Sequence, residues 1–460
     1  MGESGQRGRL FGTDGVRGVA GQDLTASLAL DLSVAAAVVL ADDAGGARGH
    51  EARTPVAVVG RDPRASGEFL EAAVVAGLAS SGVDVLRLGV IPTPGVAYLT
   101  EALGAAFGVV ISASHNPAQD NGIKFFGRGG VKLPDALEDE IEARLGAKPR
   151  ASAASRFGRV SDAAAEQDRY LDHLLGTLPA DRERALAGLR VVADCAHGAA
   201  YRLAPQALRR AGAEVIAIGA EPDGLNINAG VGSTCLDTLA AAVVAHGADA
   251  GVAYDGDADR CLAVDAGGQP LDGDQIMAVL ATELRDAGRL ARDAVVVTVM
   301  SNQGFHVAMR DAGIAVIETP VGDKHVSAAM RDGGYVLGGE QSGHIILFEH
   351  ATTGDGILTS LQLLSAVHRR GMPMAAAAAL MRKYPQVLVN VPGDASRLGP
   401  LVDAAVVRAE TQLGGNGRVL VRPSGTEPAI RLMVQAADAS LAEQVIGQLA
   451  AEVRLALVGQ

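Results

Sequence analysis

Three short polar loops hold residue types suited to moving a phosphoryl group. Ser112-Ala113-Ser114-His115-Asn116-Pro117 offers a hydroxyl nucleophile, and Asp255-Gly256-Asp257-Ala258-Asp259-Arg260 a cage of carboxylates. Gly339-Glu340-Gln341-Ser342-Gly343-His344 offers polar side chains that can grip a ligand. The aspartates of the second loop fall at i, i+2 and i+4. Carboxylates that close repel one another unless a cation or basic groups neutralise them. An oxygen-only donor set suits Mg²⁺, which favours octahedral geometry and keeps a position for phosphate or water. An EF-hand is excluded: Arg260 stands where its sixth position needs Gly, and Ala266 where its twelfth needs Glu.

Ser114 and His115 are adjacent, so they do not by themselves make a triad, whose base and nucleophile come from separate segments. No GxSxG elbow surrounds the serine. The hydroxyl is read instead as a carrier of a phosphoryl group, whose oxygens would join Asp255, Asp257 and Asp259 as metal ligands. A Ser/Asn turn or helix cap is the plain competitor. Glu340 and Ser342 suit hydrogen bonds to sugar hydroxyls, and His344 is near enough in sequence to serve as acid or base. An ordinary polar turn competes here too. His325, in Gly322-Asp323-Lys324-His325, is a further substrate-binding candidate, with a hydrogen-bonded surface histidine as the plainer reading. Arg422-Pro423-Ser424-Gly425-Thr426 combines a guanidinium, hydroxyls and a glycine whose N–H can approach an anion, and Arg431 follows on the next strand. That set suits a phosphate, because Arg makes a forked, charge-assisted contact. It is not a P-loop, since the GxxxxGK[ST] spacing is missing.

The elements that must aim these loops repeat along the chain. Apolar runs at 56–59, 83–88 and 107–111 predict strands, the third running into the Ser114 loop. The runs at 190–193, 214–218 and 250–254 repeat the pattern and lead into the aspartate loop. Those at 294–298, 314–317 and 334–337 repeat it again and lead into the Glu340 loop. Each loop is followed by a hairpin partner, at 123–126, 261–264 and 345–348, and then by a helical segment, near 134–146, 274–287 and 356–369. Short apolar runs between Gly/Pro/Asp turns and helical segments mark βαβ units, and three in the same order mark a repeat. Ligands bind at strand ends in open α/β sheets, so the three loops are expected to face one cleft. The predicted fold class is α/β: three repeated βαβ-type mixed-sheet domains plus a smaller C-terminal α+β domain around a central cleft. The expected domains are 1–160 with the phosphoserine loop, 161–267 with the metal loop, 268–380 with the sugar-binding loop and 381–460 with the phosphate loop.

Composition narrows the partners. A net charge of −13 argues against nucleic acid, whose backbone needs a basic face, but not against a phosphorylated small molecule in a local cationic pocket. Cys195, Cys235 and Cys261 form no CxxC pair, which fits a reducing cytosol. The polar N-terminus lacks an apolar signal core, and apolar runs such as Val34 to Ala41 are too short to span a bilayer. A cytoplasmic protein without a membrane partner is expected.

The motifs Phe11-Gly12-Thr13-Asp14-Gly15-Val16-Arg17-Gly18 and Asn121-Gly122-Ile123-Lys124, taken in order with the four loops above, carry a resemblance. The chain resembles the α-D-phosphohexomutase superfamily, and within it the bacterial phosphoglucosamine mutases, over essentially its whole length. The resemblance implies that Ser114 is a phosphoserine, that the three aspartates bind Mg²⁺, and that Glu340 and Ser342 contact sugar hydroxyls. It also implies that the Arg422 loop, with Ser424, Gly425, Thr426 and Arg431, holds the non-reacting phosphate. Arg17, Lys124 and Arg260 would offset the charge of the transferring group, with Lys124 and His344 as candidates for proton transfer. The implied reaction converts glucosamine 6-phosphate to glucosamine 1-phosphate through a 1,6-bisphosphate, which also serves as activator, on the route to UDP-N-acetylglucosamine. A homodimer is left open. A mutase for glucose or mannose phosphates, or a non-catalytic sugar-phosphate-binding protein, are the alternatives.

Overall fold

The computed structural model describes residues 9–12, 14–43, 54–146, 157–179, 184–393, 399–414, 417–423 and 429–458. The first repeat forms β1 (Val16–Val19), β2 (Val56–Arg61), β3 (Asp84–Val90), β4 (Phe107–Ile111), β5 (Asp120–Gly127), β6 (Val131–Lys132) and β7 (Val160–Asp162). The second forms β8 (Arg190–Asp194), β9 (Glu214–Ile218), β10 (Ala250–Tyr254), β11 (Cys261–Asp265) and β12 (Pro270–Leu271). The third forms β13 (Ala294–Thr298), β14 (Ala315–Thr319), β15 (Leu337–Gly339) and β16 (Ile345–Leu347).

One strand order recurs in all three sheets: β5-β4-β2-β3, β11-β10-β8-β9 and β16-β15-β13-β14. In the first two repeats the inner strands run parallel, and in all three the first-named strand is antiparallel to its neighbour. The central strands β4, β10 and β13 are buried along their full length. Continuous Val/Ile/Ala-rich runs are what a strand covered on both faces requires. The Ser114, aspartate and Glu340 loops therefore occupy one topological position, the turn from the third strand of a repeat into its antiparallel hairpin partner.

The expected strands and helices are present with small shifts. The strand anticipated from Gly334 begins only at Leu337, because Gly334 ends helix Asp323–Gly333 in a left-handed conformation (φ 67°). That turn suits glycine, which has no Cβ to clash. β1 adds to the first sheet by pairing antiparallel with β5, placing Arg17 opposite Gly122. Among the described residues no helix is long and apolar enough to cross a membrane.

Residues Met1–Val299 and Ile317–Ala378 make one compact unit, and Met300–Val316 with Ala379–Gln460 a second. The second unit holds an antiparallel sheet, β17 (Gln386–Pro392), β18 (Gly417–Pro423) and β19 (Ala429–Ala436), in the order β17-β19-β18. Val391, Ile430, Leu432 and Val434 join Val402, Ala409, Val445, Leu449 and Val453 of helices Pro400–Leu413 and Ala439–Val458 in one core. Strand alternation sends Leu388, Asn390, Leu420, Arg422, Arg431 and Met433 to the other face.

Candidate active site

Ser114 is 1% exposed and has a φ of 53°. The left-handed conformation costs a non-glycine residue about 1–2 kcal/mol, so its surroundings must hold it. Ser114 N–H donates to Ser112 Oγ (2.9 Å), and Ser112 Oγ donates to Asp62 Oδ2 (2.7 Å). Ser114 Oγ itself donates to Asp255 Oδ2 at 2.6 Å and lies 3.3 Å from His115 Nδ1.

Asp255, Asp257 and Asp259 are all buried, and one carboxylate oxygen of each lies within 4.8 Å of the others. Burial, then Asp259 and Asp257, push the Asp255 carboxyl well above its usual range. Burial also opposes ionisation of Asp259, but His344, Lys124 and Arg260 overcome it and hold that carboxyl below its ordinary value. Asp257 Oδ2 accepts from Thr93 Oγ1 (2.6 Å) and Lys124 Nζ (2.9 Å). Among the described residues, Asp257 Oδ1 and Asp259 Oδ1 are buried without a hydrogen-bond partner. Buried orphan oxygens are costly. A hard divalent cation would satisfy both, and the donor set is oxygen only, so the residues present fit a metal.

Cations surround this cage. Lys124 Nζ bridges Asp14 Oδ2 (2.6 Å) and Asp257 Oδ2 (2.9 Å). Burial disfavours its charge, yet Asp14, Asp257 and Asp259 more than offset that and raise its pKa. Asp14 also accepts from Arg17 Nη2 (2.8 Å) and Lys132 Nζ (3.0 Å). Burial resists ionisation of Asp14, but Lys124, Lys132 and Arg17 hold it well below the usual carboxylate range. Lys132 pairs in turn with Asp323. Arg260 Nε lies 3.8 Å from Asp259 Oδ1, and among the described residues the Nε atoms of Arg17 and Arg260 are buried without a hydrogen-bond partner.

His344 has both ring nitrogens engaged. Nδ1 lies 3.4 Å from Asp259 Oδ2, and Nε2 accepts from Gly354 N–H at 3.1 Å. Burial lowers the imidazole's proton affinity, whereas Asp259 and Asp323 raise it and prevail. The Gly354 bond pulls the other way, since it needs a lone pair on Nε2. A Cβ on Gly354 would stand 2.6 Å from His344 Cε1 and 2.7 Å from the Asp259 carbonyl oxygen, so this close approach needs glycine.

Ser114, Arg17, Asp259, Arg260, Glu340 and His344 line one cleft of about 420 Å³, together with Asp14 and Asp323. Glu340 Oε1 accepts from Gly322 N–H (3.1 Å), while among the described residues Ser342 Oγ is buried without a hydrogen-bond partner. His325 is exposed and lines an adjoining cavity with Lys132, Lys324 and Arg331. In the second unit, Arg422 and Arg431 face each other in register on β18 and β19 and line a pocket of about 220 Å³. Like charges directly opposite one another on a sheet are destabilising, which an anion between them would relieve. Among the described residues Arg431 Nε is buried without a hydrogen-bond partner. Ser424, Gly425 and Thr426 lie outside the described residues.

Sequence reasoning missed Asp14, Thr93, Lys132 and Gly354. Asp14 stands three residues before Arg17 in the Phe11–Gly18 motif, and that spacing was its one available signal. Gly354 precedes Asp355, which caps helix Gly356–Arg369 by accepting from Leu358 N–H. Asp-Gly before an apolar run marks a helix start but says nothing about a histidine ten residues earlier.

The fold and this site define a sugar-phosphate mutase class: the chain belongs to the phosphoglucomutase/phosphomannomutase family. It matches that family's alpha/beta/alpha domain I over residues 8–151, domain II over 168–268, domain III over 272–384 and the C-terminal domain over 372–452. The phosphoglucosamine mutase of Thermobifida fusca is 61% identical over 97% of this chain and 98% of its own length. That of Streptomyces coelicolor is 60% identical over 98% of this chain and 100% of its own. A phosphoglucomutase/phosphomannomutase family protein from Burkholderia thailandensis shares the fold with a TM-score of 0.79, at 23% identity over 97% of each chain. The N-acetylphosphoglucosamine mutase of Aspergillus fumigatus, solved with GlcNAc-6P and magnesium, shares it with a TM-score of 0.64, at 19% identity over 97% of this chain and 96% of that one.

Proposed function

We propose that the chain interconverts glucosamine 6-phosphate and glucosamine 1-phosphate, the reaction named by relatives that match it nearly end to end. Ser114 in its phosphorylated form gives its phosphoryl group to the sugar O1. The bond from phosphorus to Ser114 Oγ breaks as the bond to O1 forms, and the O1 proton ends on Ser114 Oγ, with Lys124 giving a proton to Oγ and regaining one from O1. The 1,6-bisphosphate then reverses in the cleft, and its 6-phosphoryl group returns to Ser114 Oγ as the bond to O6 breaks. The observation that carries this reading is Ser114 Oγ seated 2.6 Å from Asp255, at the edge of three buried carboxylates.

Asp255, Asp257 and Asp259, with Ser114 in its phosphorylated form, would hold Mg²⁺, which would supply positive charge to offset that of the transferring group. Lys124 is kept protonated by Asp14 and Asp257, so it serves as the proton donor to the departing oxygen and as a fixed positive charge. Arg17 and Arg260 add positive charge along the cleft wall. His344, engaged at both nitrogens, orients Asp259. Glu340 contacts the sugar hydroxyls with Ser342, and His325 stays a peripheral contact. Arg422 and Arg431, with Ser424, Gly425 and Thr426, grip the non-reacting phosphate. Free cysteines fit reaction in a reducing, cytoplasmic setting.

The test is a coupled assay with glucosamine 6-phosphate, Mg²⁺ and a trace of sugar 1,6-bisphosphate, run beside glucose and mannose phosphates. Turnover should be fastest with the amino sugar. Equal or faster turnover of a neutral hexose phosphate would move the substrate assignment.

A further inference from the structure

We infer that Arg64 is the positioning residue that presets Ser114 for phosphoryl transfer, an inference that rests on the phosphoserine reading above. Arg64 is fully buried, as is its ion-pair partner Asp62. Its Nε donates to Asp62 Oδ2 at 2.8 Å. Its Nη2 donates to the carbonyls of Ser114 and Asn116, each at 2.9 Å. Its Nη1 donates to the carbonyls of Pro117 and Asp120, the latter at 3.0 Å. A guanidinium has five N–H donors in a rigid fork, and all are used here, four of them on one turn.

That turn is the one in which Ser114 holds a left-handed φ. The same Asp62 oxygen that pairs with Arg64 accepts from Ser112 Oγ, and Ser112 Oγ accepts from Ser114 N–H. Both backbone polar groups of Ser114 thus trace to one buried ion pair. Asn228, from the second repeat, adds an independent grip: its Nδ2 donates to the same Ser114 and Asn116 carbonyls, each at 3.0 Å. Arg64 contributes through the backbone, and the hydrogen bonds of Ser114 Oγ are to Asp255 and His115. Lysine cannot replace it, since one ammonium has three donors and no planar fork to span four carbonyls. Loss of aim by about 1 Å costs roughly a hundredfold in rate.

The experiment compares full-length wild type, Arg64→Lys and Asn228→Ala with glucosamine 6-phosphate and Mg²⁺, with intact mass read on each. Arg64→Lys should lower kcat roughly a hundredfold with KM unchanged. Asn228→Ala, which leaves the buried pair in place, should lower kcat by a smaller factor, again without a change in KM. In a further variant, Arg64→Gly, added guanidinium should restore part of kcat where added ammonium does not. Should Arg64→Lys fail to fold, recovery of kcat by guanidinium in Arg64→Gly decides, and folded Arg64→Gly that guanidinium does not reactivate would overturn the inference. Wild-type kcat in Asn228→Ala and in folded Arg64→Lys would overturn the inference, as would a loss expressed in KM. Wild-type enzyme that turns over without phosphate on Ser114 would instead overturn the phosphoserine reading itself.

Discussion

Ser114 Oγ donates a 2.6 Å hydrogen bond to Asp255 Oδ2 across 141 residues of chain. The bond joins corresponding turns of two successive repeats, the one after β4 and the one after β10. A phosphoryl group carried on that hydroxyl, as proposed above, would lie at the edge of the carboxylate cage, a proximity fixed by the fold.

Removing the hydroxyl should therefore stop the reaction and spare the structure. Ser114→Ala is expected to lower kcat by more than about a thousandfold, with a melting temperature near wild type. Thermal unfolding and steady-state rates check this together. Activity near wild type would remove Ser114 from the chemistry.

The carboxylate cage should lose its ion before it loses its shape. Asp257→Asn keeps an oxygen to accept from Thr93 but removes one negative charge from the set. Apparent Mg²⁺ affinity should fall by at least roughly tenfold, since losing even an outer partner of a metal ligand costs about that much. Titration of the purified variant with Mn²⁺ as a spectroscopic probe reads this without relying on turnover. Unchanged affinity would place the metal elsewhere.

Arg422 is expected to act on binding. A charge-assisted contact is worth about 1.5–3 kcal/mol, or roughly tenfold to over a hundredfold in affinity. Arg422→Ala should raise KM and increase escape of labelled 1,6-bisphosphate into solution. An unchanged KM with no extra release would put the phosphate grip on other residues.

Asp355 gives a pH-dependent stability. Its Oδ1 accepts from Leu358 N–H (2.9 Å) and its Oδ2 from Tyr170 OH (2.8 Å). Burial pushes the carboxyl up to about 6, although those bonds pull it down. A folded value above the unfolded one, about 3.9, means that the protonated form favours folding. That stabilisation is full below about pH 4 and is lost as pH rises through about 6. Asp355→Asn does not titrate, so its melting temperature relative to wild type should be more favourable near pH 8 than near pH 5. A pH-independent difference would contradict this.

Much of the site was legible because its loops are local. Asp255, Asp257 and Asp259 need only their own spacing to be read, and the strands before the Ser114 and aspartate loops announce themselves as apolar runs, whereas Leu337–Gly339 before the Glu340 loop is short and glycine-rich. The supports were not legible, because they are contacts at long range. Lys124 meets Asp257 across 133 residues, and Arg64 meets the Ser114 carbonyl across 50. Neither pairing leaves a pattern within a turn of helix or a stretch of strand. Asp14 was hidden in another way: a short acidic residue beside Arg17 reads as its surface partner, and only the pairing of β1 with β5 brings it to Lys124.

The most direct test of the central claim follows a labelled phosphoryl group. Enzyme carrying ³²P on Ser114 is isolated and mixed with unlabelled glucosamine 6-phosphate and Mg²⁺ for a single turnover. Label should leave the protein and appear first in glucosamine 1,6-bisphosphate and then in the monophosphates, while Ser114→Ala takes up no label at all. Label that stays on the protein during turnover, or that is released only as inorganic phosphate, would contradict that claim.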